Sequence, residues 1–270
     1  MIGAIVYVLR AENSATMPFV NGRLMHAAFF QILNAKDPEL GSFVHNKMNI
    51  KPFTVSFLDP DKEVTPGDDN FSVQRGDKLF WRVTCLNKDV LLAAMTVPVG
   101  ETIRAGKLVM SIEKIFTDER LCPDTGIVAV DDFISDIRNL PPVREIIFDF
   151  VSPVTFRIDD FDAPYPRAEL VFASLADKWT QAGIPAGVDK KLAREFAAKI
   201  WLTEWHGMSK KISFGPDRST LAFWGKFYYN VASLKDSVRN GFVMLARLSY
   251  FTGVGRLTSQ GFGQTRVEFR

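Results

Sequence analysis

The chain has 270 residues, which is enough for one large domain or for two domains of about 110 to 150 residues. Hydrophobic residues make up 47% of it and include 23 phenylalanines, so we expect aromatic cores and exclude a disordered polypeptide. No apolar run approaches the ~20 residues of a membrane span, and no basic-then-apolar leader follows Met1, so no membrane partner is expected. The two cysteines, Cys85 and Cys122, fit neither a disulfide framework nor a zinc site, and they favour a cytoplasmic location.

Charge is unevenly distributed along the chain, although the formal net charge is only +2. Residues 1–200 hold 23 Lys and Arg against 27 Asp and Glu, whereas residues 201–270 hold 10 against 4. This excess of cations predicts a polyanion-binding face in the C-terminal part of the chain. Ordinary variation of surface charge is the alternative interpretation.

The first half of the chain has the hydrophobic periodicities of a ferredoxin-like unit, whose element order is strand–helix–strand–strand–helix–strand. Residues 2–10 are rich in β-branched side chains and predict a strand, and residues 21–35 carry apolar side chains at near-helical spacing. The other predicted elements of this half are strands at 52–58 and 79–86, a helix from the N-cap Asn87 through Met95, and one or two strands within 103–116.

The second half is predicted to follow a short helix at 131–139 and a Pro-containing linker at 139–142. Its predicted elements are an apolar run at 145–156, helices at 168–181 and 190–205, a strand at 220–232, an amphipathic helix at 234–251 and a final strand at 264–270. This division predicts one domain at 1–140 and a second at 143–270.

A loop with four glycines within eleven residues joins the last helix to the final strand: Gly253, Gly255, Gly261 and Gly263. Little Cβ bulk and easy access to positive φ allow the backbone N–H groups of such a loop to approach a phosphate. The loop is neither a P-loop nor a dinucleotide-binding fingerprint, because those motifs have a strand before the glycines and a helix after them. A loop that only closes the domain is the structural alternative.

The glycine loop resembles the C-terminal signature of the CRISPR repeat-processing endoribonucleases of the repeat-associated (RAMP) superfamily. Residues 22–30 look like the first helix of that family, and residues 43–45 and 51–56 look like the segment that leads into its second strand. Residues 152–156 resemble the entry to its second domain. The resemblance implies an α+β fold of tandem ferredoxin-like (RRM-like) domains, with two βαββαβ units side by side.

RNA cleavage can use the ribose 2′-OH as its nucleophile, with a base for that hydroxyl, an acid for the leaving 5′-oxygen and positive charge beside the phosphorane. Histidine suits both proton-transfer roles because its ordinary pKa lies near neutral pH. The resemblance implies catalytic roles for His26 and His45, and it matches Lys51 to a lysine that stabilises charge. Phe30 stands where some members carry a catalytic tyrosine, which increases the reliance on His26. Structural roles for the two histidines are the alternative.

No metal ion or other cofactor is expected. The three histidines do not form a His-x-x-x-His motif, and no cysteine joins them. Acidic doublets at 68–69, 131–132 and 159–160 lie in turn-like or helix-starting contexts, where Asp caps and solvates, so two-metal chemistry is not favoured. His206 is expected near a helix C-terminus, in a capping or packing role.

By resemblance, we expect a metal-independent endoribonuclease that cuts CRISPR precursor RNA within its repeats and leaves 5′-OH and 2′,3′-cyclic phosphate ends. The expected RNA-binding residues are Gly253, Gly255, Arg256, Ser259, Gly261, Gly263, Arg239 and Arg247. CRISPR repeat RNA is the expected partner, and other CRISPR effector subunits and a homodimer are left open. A catalytically inactive RNA-binding subunit of an effector complex and a small-molecule-binding ferredoxin-like protein are the alternative functions.

Overall fold

The structure, a computed structural model, describes residues 1–47, 50–61, 69–136, 141–185, 187–215 and 218–270. Unit 1 consists of Met1–Val128 with Ser259–Gly261, and unit 2 consists of Ala129–Thr258 with Phe262–Arg270. The glycine loop is therefore divided, since Ser259–Gly261 belong to unit 1 and its other residues to unit 2. Residues 139 and 140 of the predicted linker and Asp68 lie outside the described residues, and the domain limits of 1–140 and 143–270 stay a prediction.

Nine strands and three helices make up the described part of unit 1. In chain order they are β1 (Ile2–Ala11), β2 (Ala15–Pro18), α1 (Gly22–Lys36), α2 (Pro38–Lys47), β3 (Phe53–Val55), β4 (Asp59–Pro60), β5 (Asn70–Val73), β6 (Lys78–Cys85), α3 (Lys88–Met95), β7 (Thr102–Ala105), β8 (Leu108–Phe116) and β9 (Gly126–Val128). The order β3-β6-β1-β8-β7 defines one antiparallel sheet, in which β4 also pairs with β6 and β9 with β1. Strands β2 and β5 pair separately.

The predicted ferredoxin-like unit is confirmed by the connectivity of this sheet. The elements β1, α1, β3, β6, α3 and β8 follow each other as βαββαβ, and their four strands lie in the spatial order 2-3-1-4. Strand β1 is central, so nine of its ten residues are buried and only Arg10 is exposed. The predicted N-cap is confirmed as well, because the Asn87 side chain accepts hydrogen bonds from the backbone N–H groups of Asp89 and Val90.

Helix α1 packs on this sheet through an apolar face at the spacing of two helical turns. Met25, Phe29 and Ile32 belong to this face and are almost completely buried. The side chain of buried Asn21, just before the helix, donates to the Pro18 carbonyl and accepts from the backbone N–H of Leu58. These two hydrogen bonds fix the start of α1, and the helix then carries His26 at the margin of its buried face.

Unit 2 contains four helices and six strands within its described residues. In chain order they are α4 (Val130–Ser135), β10 (Glu145–Val154), β11 (Phe156–Ile158), β12 (Phe161–Ala163), α5 (Ala168–Gln181), α6 (Lys190–Ala197), β13 (Trp201–Gly215), β14 (Arg218–Asn230), α7 (Asp236–Thr252) and β15 (Thr265–Phe269). The order β13-β14-β10-β15 again places the strands of a βαββαβ unit as 2-3-1-4. Among the described helices of both units, none is long and apolar enough to span a membrane.

The helix predicted at 190–205 is wrong beyond Ala197. Residues from Trp201 onward form β13, which pairs antiparallel with β14 from Trp201 opposite Asn230 to Ser213 opposite Ser219. Local helix-like spacing ended at the short α6, and the long-range hairpin with β14 then set the conformation of the following residues. The corrected element supplies the second strand that a ferredoxin-like unit requires.

The aromatic residues expected in the core pack together in unit 2. Phe148, Phe172 and Phe242 are fully buried, and the Phe172 and Phe242 rings lie 4.7 Å apart. Tyr229 is also fully buried, and its hydroxyl donates to the Pro166 carbonyl at 2.7 Å. Large rings with a satisfied hydroxyl stabilise this core through buried apolar area.

Candidate functional site

The two histidines expected to act together contact the same phenyl ring in unit 1. His26 on α1 lies edge-on to Phe30 with ring centroids 5.0 Å apart, and His45 on α2 lies edge-on to the same ring at 5.3 Å. Phe30 is itself 9% exposed. The structure therefore brings His26, His45 and the residue at the expected tyrosine position into one cluster, which we call the histidine cluster.

The imidazole of His26 is held by the middle of the glycine loop. Its Nδ1 lies 2.8 Å from the backbone carbonyl oxygen of Ser259. A carbonyl oxygen only accepts hydrogen bonds, so Nδ1 carries the proton, and in the neutral ring Nε2 carries the lone pair. Phe53 contacts the same ring at 5.5 Å. The neutral His26 side chain is thus in the protonation state of a general base.

The environment of His26 also favours its neutral form. Partial burial lowers the pKa of His26 below its ordinary value of 6.5, and the hydrogen bond to Ser259 opposes this effect. The positive charge of Lys51 and the nearby His45 and Arg23 lower the pKa further. A histidine that is neutral at physiological pH is suited to accept a proton.

His45 differs from His26 because it is exposed and forms its hydrogen bond with a side chain. Its Nδ1 lies 3.0 Å from Oδ1 of Asn46, and the amide nitrogen of Asn46 donates to the Ser42 hydroxyl at 3.2 Å. An open pocket of about 280 Å³ adjoins His45. The residues lining it are Phe30, Asn34, Gly41, Ser42, His45 and Asn46. A solvent-accessible imidazole beside an open pocket can exchange a proton with a bound substrate.

Lys51 lies at the carboxyl end of α2, where it anchors the helix that carries His45. Its Nζ donates to the carbonyl oxygens of Val44 at 3.0 Å and His45 at 2.8 Å. A cation at this end of a helix stabilises the unpaired carbonyl groups and the helix dipole. Partial burial lowers the pKa of Lys51 below its ordinary value. Lys51 is therefore close to the histidine cluster, in contact with its backbone.

Three of the four loop glycines already donate their backbone N–H groups within unit 2. Gly253 donates to the Ser249 carbonyl, Gly255 to the Ser174 hydroxyl and Gly263 to the Pro153 carbonyl, at 2.8, 3.0 and 2.8 Å. A Cβ atom on Gly263 would lie 2.0 Å from the carbonyl oxygen of Val254. Close backbone packing therefore accounts for these glycines, and the RNA contacts expected from them stay a prediction.

The segment Ser259–Gly261 packs within unit 1, beside the start of α1. A Cβ atom on Gly22 would lie 1.7 Å from the carbonyl oxygen of Gln260, and one on Gly261 would lie 2.3 Å from the Phe57 ring. Gly261 also has a φ of +88°, which L side chains rarely adopt. Glycine at these positions allows the Ser259 carbonyl to reach His26.

Sequence reasoning missed Lys178, a buried cation on α5 that holds the other part of the loop. Its Nζ lies 3.1 Å from the Thr252 carbonyl, 3.0 Å from the Gly253 carbonyl and 3.5 Å from the Thr258 hydroxyl. Burial lowers the pKa of Lys178 to about 7. The sequence does contain a signal for its burial, which is the helical spacing. Lys178 falls on the apolar face of α5, seven residues after a buried valine and three after a buried leucine.

The three arginines expected to bind RNA each face an aspartate within unit 2. Arg239 pairs with Asp236, the guanidinium of Arg247 lies 3.5 Å from Asp136, and that of Arg256 lies 3.5 Å from Asp162. The arginine side chains are 14%, 26% and 42% exposed in that order, so Arg256 is the most accessible of them. An exposed ion pair such as that of Arg256 contributes little to stability.

The position expected for His206 is wrong. It lies on β13 and not at a helix end, it is exposed, and its Nε2 is 2.7 Å from a carboxylate oxygen of Glu204. Within the described ranges, no group of three or more His, Cys, Asp or Glu side chains has the arrangement of a metal site. His206 is thus a surface histidine that belongs to unit 2, whereas the histidine cluster belongs to unit 1.

Two ferredoxin-like units in one chain define the class as a tandem ferredoxin-like protein, the architecture of the RAMP resemblance. The family model described as the CRISPR Cas6 N-terminal domain matches residues 1–97, and the one described as CRISPR-associated endoribonuclease Cas6 matches residues 148–265. Together these matches cover well over half of the chain. The chain belongs to the Cas6 family of CRISPR-associated endoribonucleases.

Solved structures have the same fold over nearly the whole chain. A Cas6 product complex is 21% identical with a TM-score of 0.79 and 99% of each chain covered. A Cas6 of Thermus thermophilus is 22% identical, with a TM-score of 0.71, covering 99% of this chain and 98% of its own. A structure described as a RAMP protein binding different RNA substrates is 16% identical, with a TM-score of 0.61 and coverages of 98% and 99%. No curated protein is significantly similar in sequence.

Proposed function

We propose that this chain cuts CRISPR precursor RNA within its repeats by attack of a ribose 2′-OH on the adjacent phosphorus. The products are a 2′,3′-cyclic phosphate on one fragment and a 5′-OH on the other. The observation that carries the proposal is the histidine cluster, in which His26 and His45 contact the same Phe30 ring. One site then holds two groups that move protons near neutral pH.

His26 is the general base in this mechanism. Its Nδ1 proton is donated to the Ser259 carbonyl, so Nε2 of the neutral ring takes the proton from the 2′-OH. The lowered pKa, caused first by burial, keeps His26 neutral at physiological pH. Phe30 has no hydroxyl, so the residue at the expected tyrosine position moves no proton and serves as a wall between the two imidazoles.

His45 is the general acid, and Lys51 supports it. The imidazole of His45 is exposed, so a bound RNA can reach it, and His45 gives its proton to the leaving 5′-oxygen. The Lys51 ammonium contacts the carbonyl of His45 at 2.8 Å. In the proposed mechanism its positive charge stabilises the developing phosphorane. Because side chains supply the base, the acid and the positive charge, we propose a metal-independent reaction.

RNA is held by residues of the C-terminal segment. One support is the excess of Lys and Arg in residues 201–270. A second is the structural similarity to a Cas6 product complex and to a RAMP protein described as binding RNA substrates. We assign phosphate contacts to Arg256, with Arg239 and Arg247 as further cations and Ser259 as a hydrogen-bonding group. Base identity is read by other groups on a hairpin edge or a single strand.

The test is cleavage of a labelled repeat RNA by the purified chain in EDTA. We expect cleavage to continue, and a single 2′-deoxy substitution upstream of the scissile phosphate to abolish it without weakening binding. A strict requirement for Mg²⁺, or cleavage of the deoxy substrate, contradicts the mechanism. Tight binding with no cleavage of any repeat RNA instead indicates the inactive RNA-binding subunit.

A further inference from the structure

We propose that the backbone carbonyl of Ser259 is a positioning group for catalysis, because it fixes His26 in the Nδ1–H tautomer and so presents Nε2 as the base. This inference rests on the proposed function for its catalytic meaning. Its physical content, the tautomer of one imidazole, can be measured without any RNA. The glycine loop then acts on the reaction itself, in addition to any contact with RNA.

The chemical type of the hydrogen-bond partner is what makes the tautomer unambiguous. A hydroxyl or a side-chain amide can reverse its role, as the Asn46 amide beside His45 can, and such a partner accepts either tautomer. The carbonyl oxygen of Ser259 has no proton to give, so at 2.8 Å it selects the ring with Nδ1 protonated. His26 therefore has one defined neutral form, whereas His45 does not.

The aromatic side chains around His26 keep the ring in this orientation. Its ring centroid lies 5.0 Å from that of Phe30 and 5.5 Å from that of Phe53. A half-turn of the imidazole would replace Nδ1 by a carbon and lose the hydrogen bond to Ser259. In this partly buried site, an imidazole N–H or a carbonyl left without its partner is unfavourable. The Ser259 carbonyl and the rings of Phe30 and Phe53 together select one orientation of the imidazole.

The sequence of α1 explains how the loop reaches His26. Gly22 and His26 are four residues apart and therefore lie above one another on the same helix face. The Ser259 carbonyl contacts His26, and the next carbonyl, that of Gln260, lies so close to Gly22 that a Cβ there would be 1.7 Å away. The close approach of the Gln260 carbonyl therefore explains why this position holds glycine.

The deciding experiment is nitrogen NMR of the wild-type protein labelled with ¹⁵N-histidine, without RNA and above the pKa of His26. Only three histidines are present, so His45→Asn and His206→Asn variants assign the signals. We expect Nδ1 of His26 protonated and Nε2 unprotonated. The opposite tautomer, or a mixture like that of free histidine, overturns the inference whether or not any variant folds.

Gly22→Ala is the variant that moves the carbonyl and leaves the imidazole in place. The added Cβ displaces the Gln260 backbone, so we expect a mixed His26 tautomer and single-turnover cleavage, measured at saturating enzyme, that is roughly 10- to 100-fold slower. Ser259→Ala is the matched control for the NMR measurement, because it removes the side chain and keeps the carbonyl, so the tautomer stays as in the wild type. A folded Gly22→Ala protein with wild-type tautomer and wild-type rate overturns the inference.

The two measurements separate this inference from the proposed function. If the Nδ1–H tautomer is found and the protein cuts no repeat RNA, the proposed nuclease activity fails and the structural effect of Ser259 stands. If the protein cuts RNA in EDTA and His26 has the Nε2–H tautomer, the nuclease stands and the positioning role of Ser259 fails.

Discussion

The ammonium nitrogen of Lys178 lies 3.0 Å from the carbonyl oxygen of Gly253, inside unit 2. This contact and those to Thr252 and Thr258 join the carboxyl end of α7 to the glycine loop that follows it. A buried ammonium group with three oxygen acceptors stabilises the loop through hydrogen bonds, and its removal takes one donor from each acceptor. The Gly253 carbonyl would keep the hydrogen bond from the Thr252 hydroxyl.

We predict that Lys178→Met destabilises the protein by about 1–3 kcal/mol, because the buried carbonyl groups of Thr252 and Gly253 each lose a donor. The effect depends on pH. The pKa of Lys178 falls from 10.5 in the unfolded chain to about 7 in the folded protein, so above pH 7 the unfolded state binds more protons. The stability advantage of the wild type over the variant should therefore be constant below pH 7 and increase as the pH rises toward 10.5. Urea unfolding across this range measures it, and a difference that decreases with pH contradicts the prediction.

We predict that His26→Ala and His45→Ala each slow single-turnover cleavage by roughly 10²–10⁴, the usual loss for a missing acid or base. RNA affinity should change little, since neither side chain acts as a fixed charge. His206→Ala is the matched control, because His206 is exposed on β13 and lies outside the histidine cluster. If either cluster variant cuts as fast as the control, that histidine has a structural role only.

We predict an acidic limb in the pH profile of kcat/KM that lies below pH 6.5. The base is active only when neutral, and the pKa of His26 is lowered from 6.5, first by burial and then by the positive charges around it. Activity should thus persist at a pH where an ordinary histidine is already protonated. The His26→Ala protein, assayed at high enzyme concentration, should lack this limb. A wild-type limb above 6.5 would show that His26 is not the titrating base.

We predict that Gly263→Ala is more destabilising than Gly100→Ala, although both glycines have positive φ. A Cβ on Gly100 meets nothing within 4 Å, so this variant isolates the backbone strain, about 1–2 kcal/mol. A Cβ on Gly263 lies 2.0 Å from a backbone oxygen, which adds about 1–3 kcal/mol of overpacking. Thermal unfolding compares the two. Equal losses of stability in the two variants would mean that the loop backbone moves to accommodate the added Cβ, and that close packing does not explain its glycines.

We predict that Arg256→Ala weakens repeat RNA binding modestly and lowers the slope of log affinity against log salt by at most about one unit, because one phosphate contact is lost. Arg120→Ala is the control, since Arg120 is also an exposed arginine paired with an aspartate, Asp118, and belongs to unit 1. Its affinity and slope should equal those of the wild type. A slope that is unchanged in Arg256→Ala removes this residue from the RNA-binding surface.

Strands and helices with strong local patterns were predictable from the sequence. The β-branched run of β1, the helical spacing of α1 and the N-cap at Asn87 all express preferences of neighbouring residues, and the structure confirms these elements. The limit of α6 was not predictable in this way. Residues from Trp201 form a strand because β14 pairs with them, and the partner of Trp201 is Asn230, far beyond the range of local helical spacing.

The candidate site shows the same difference between features that the local sequence reveals and features that only the tertiary structure reveals. His26 and His45 were found because only three histidines exist and two match family landmarks. The Ser259 carbonyl was not found, because a backbone oxygen has no residue type to recognise. Lys178 was overlooked because a lysine in a helix is normally solvated, and only the tertiary structure shows that its ammonium group is enclosed by carbonyl oxygens.

The hydrogen bond between His26 and Ser259 joins residues 233 positions apart, so the order in which the ribosome makes them affects when the contact can form. The ribosome makes the His26 helix before Ser259, and the earlier part of a chain can begin to fold while the later part is being made. A nascent chain therefore carries His26 and His45 for a time without the Ser259 carbonyl that contacts His26. For the same reason, a fragment that stops at Val128 retains His26 and His45 but lacks the group that orients the base.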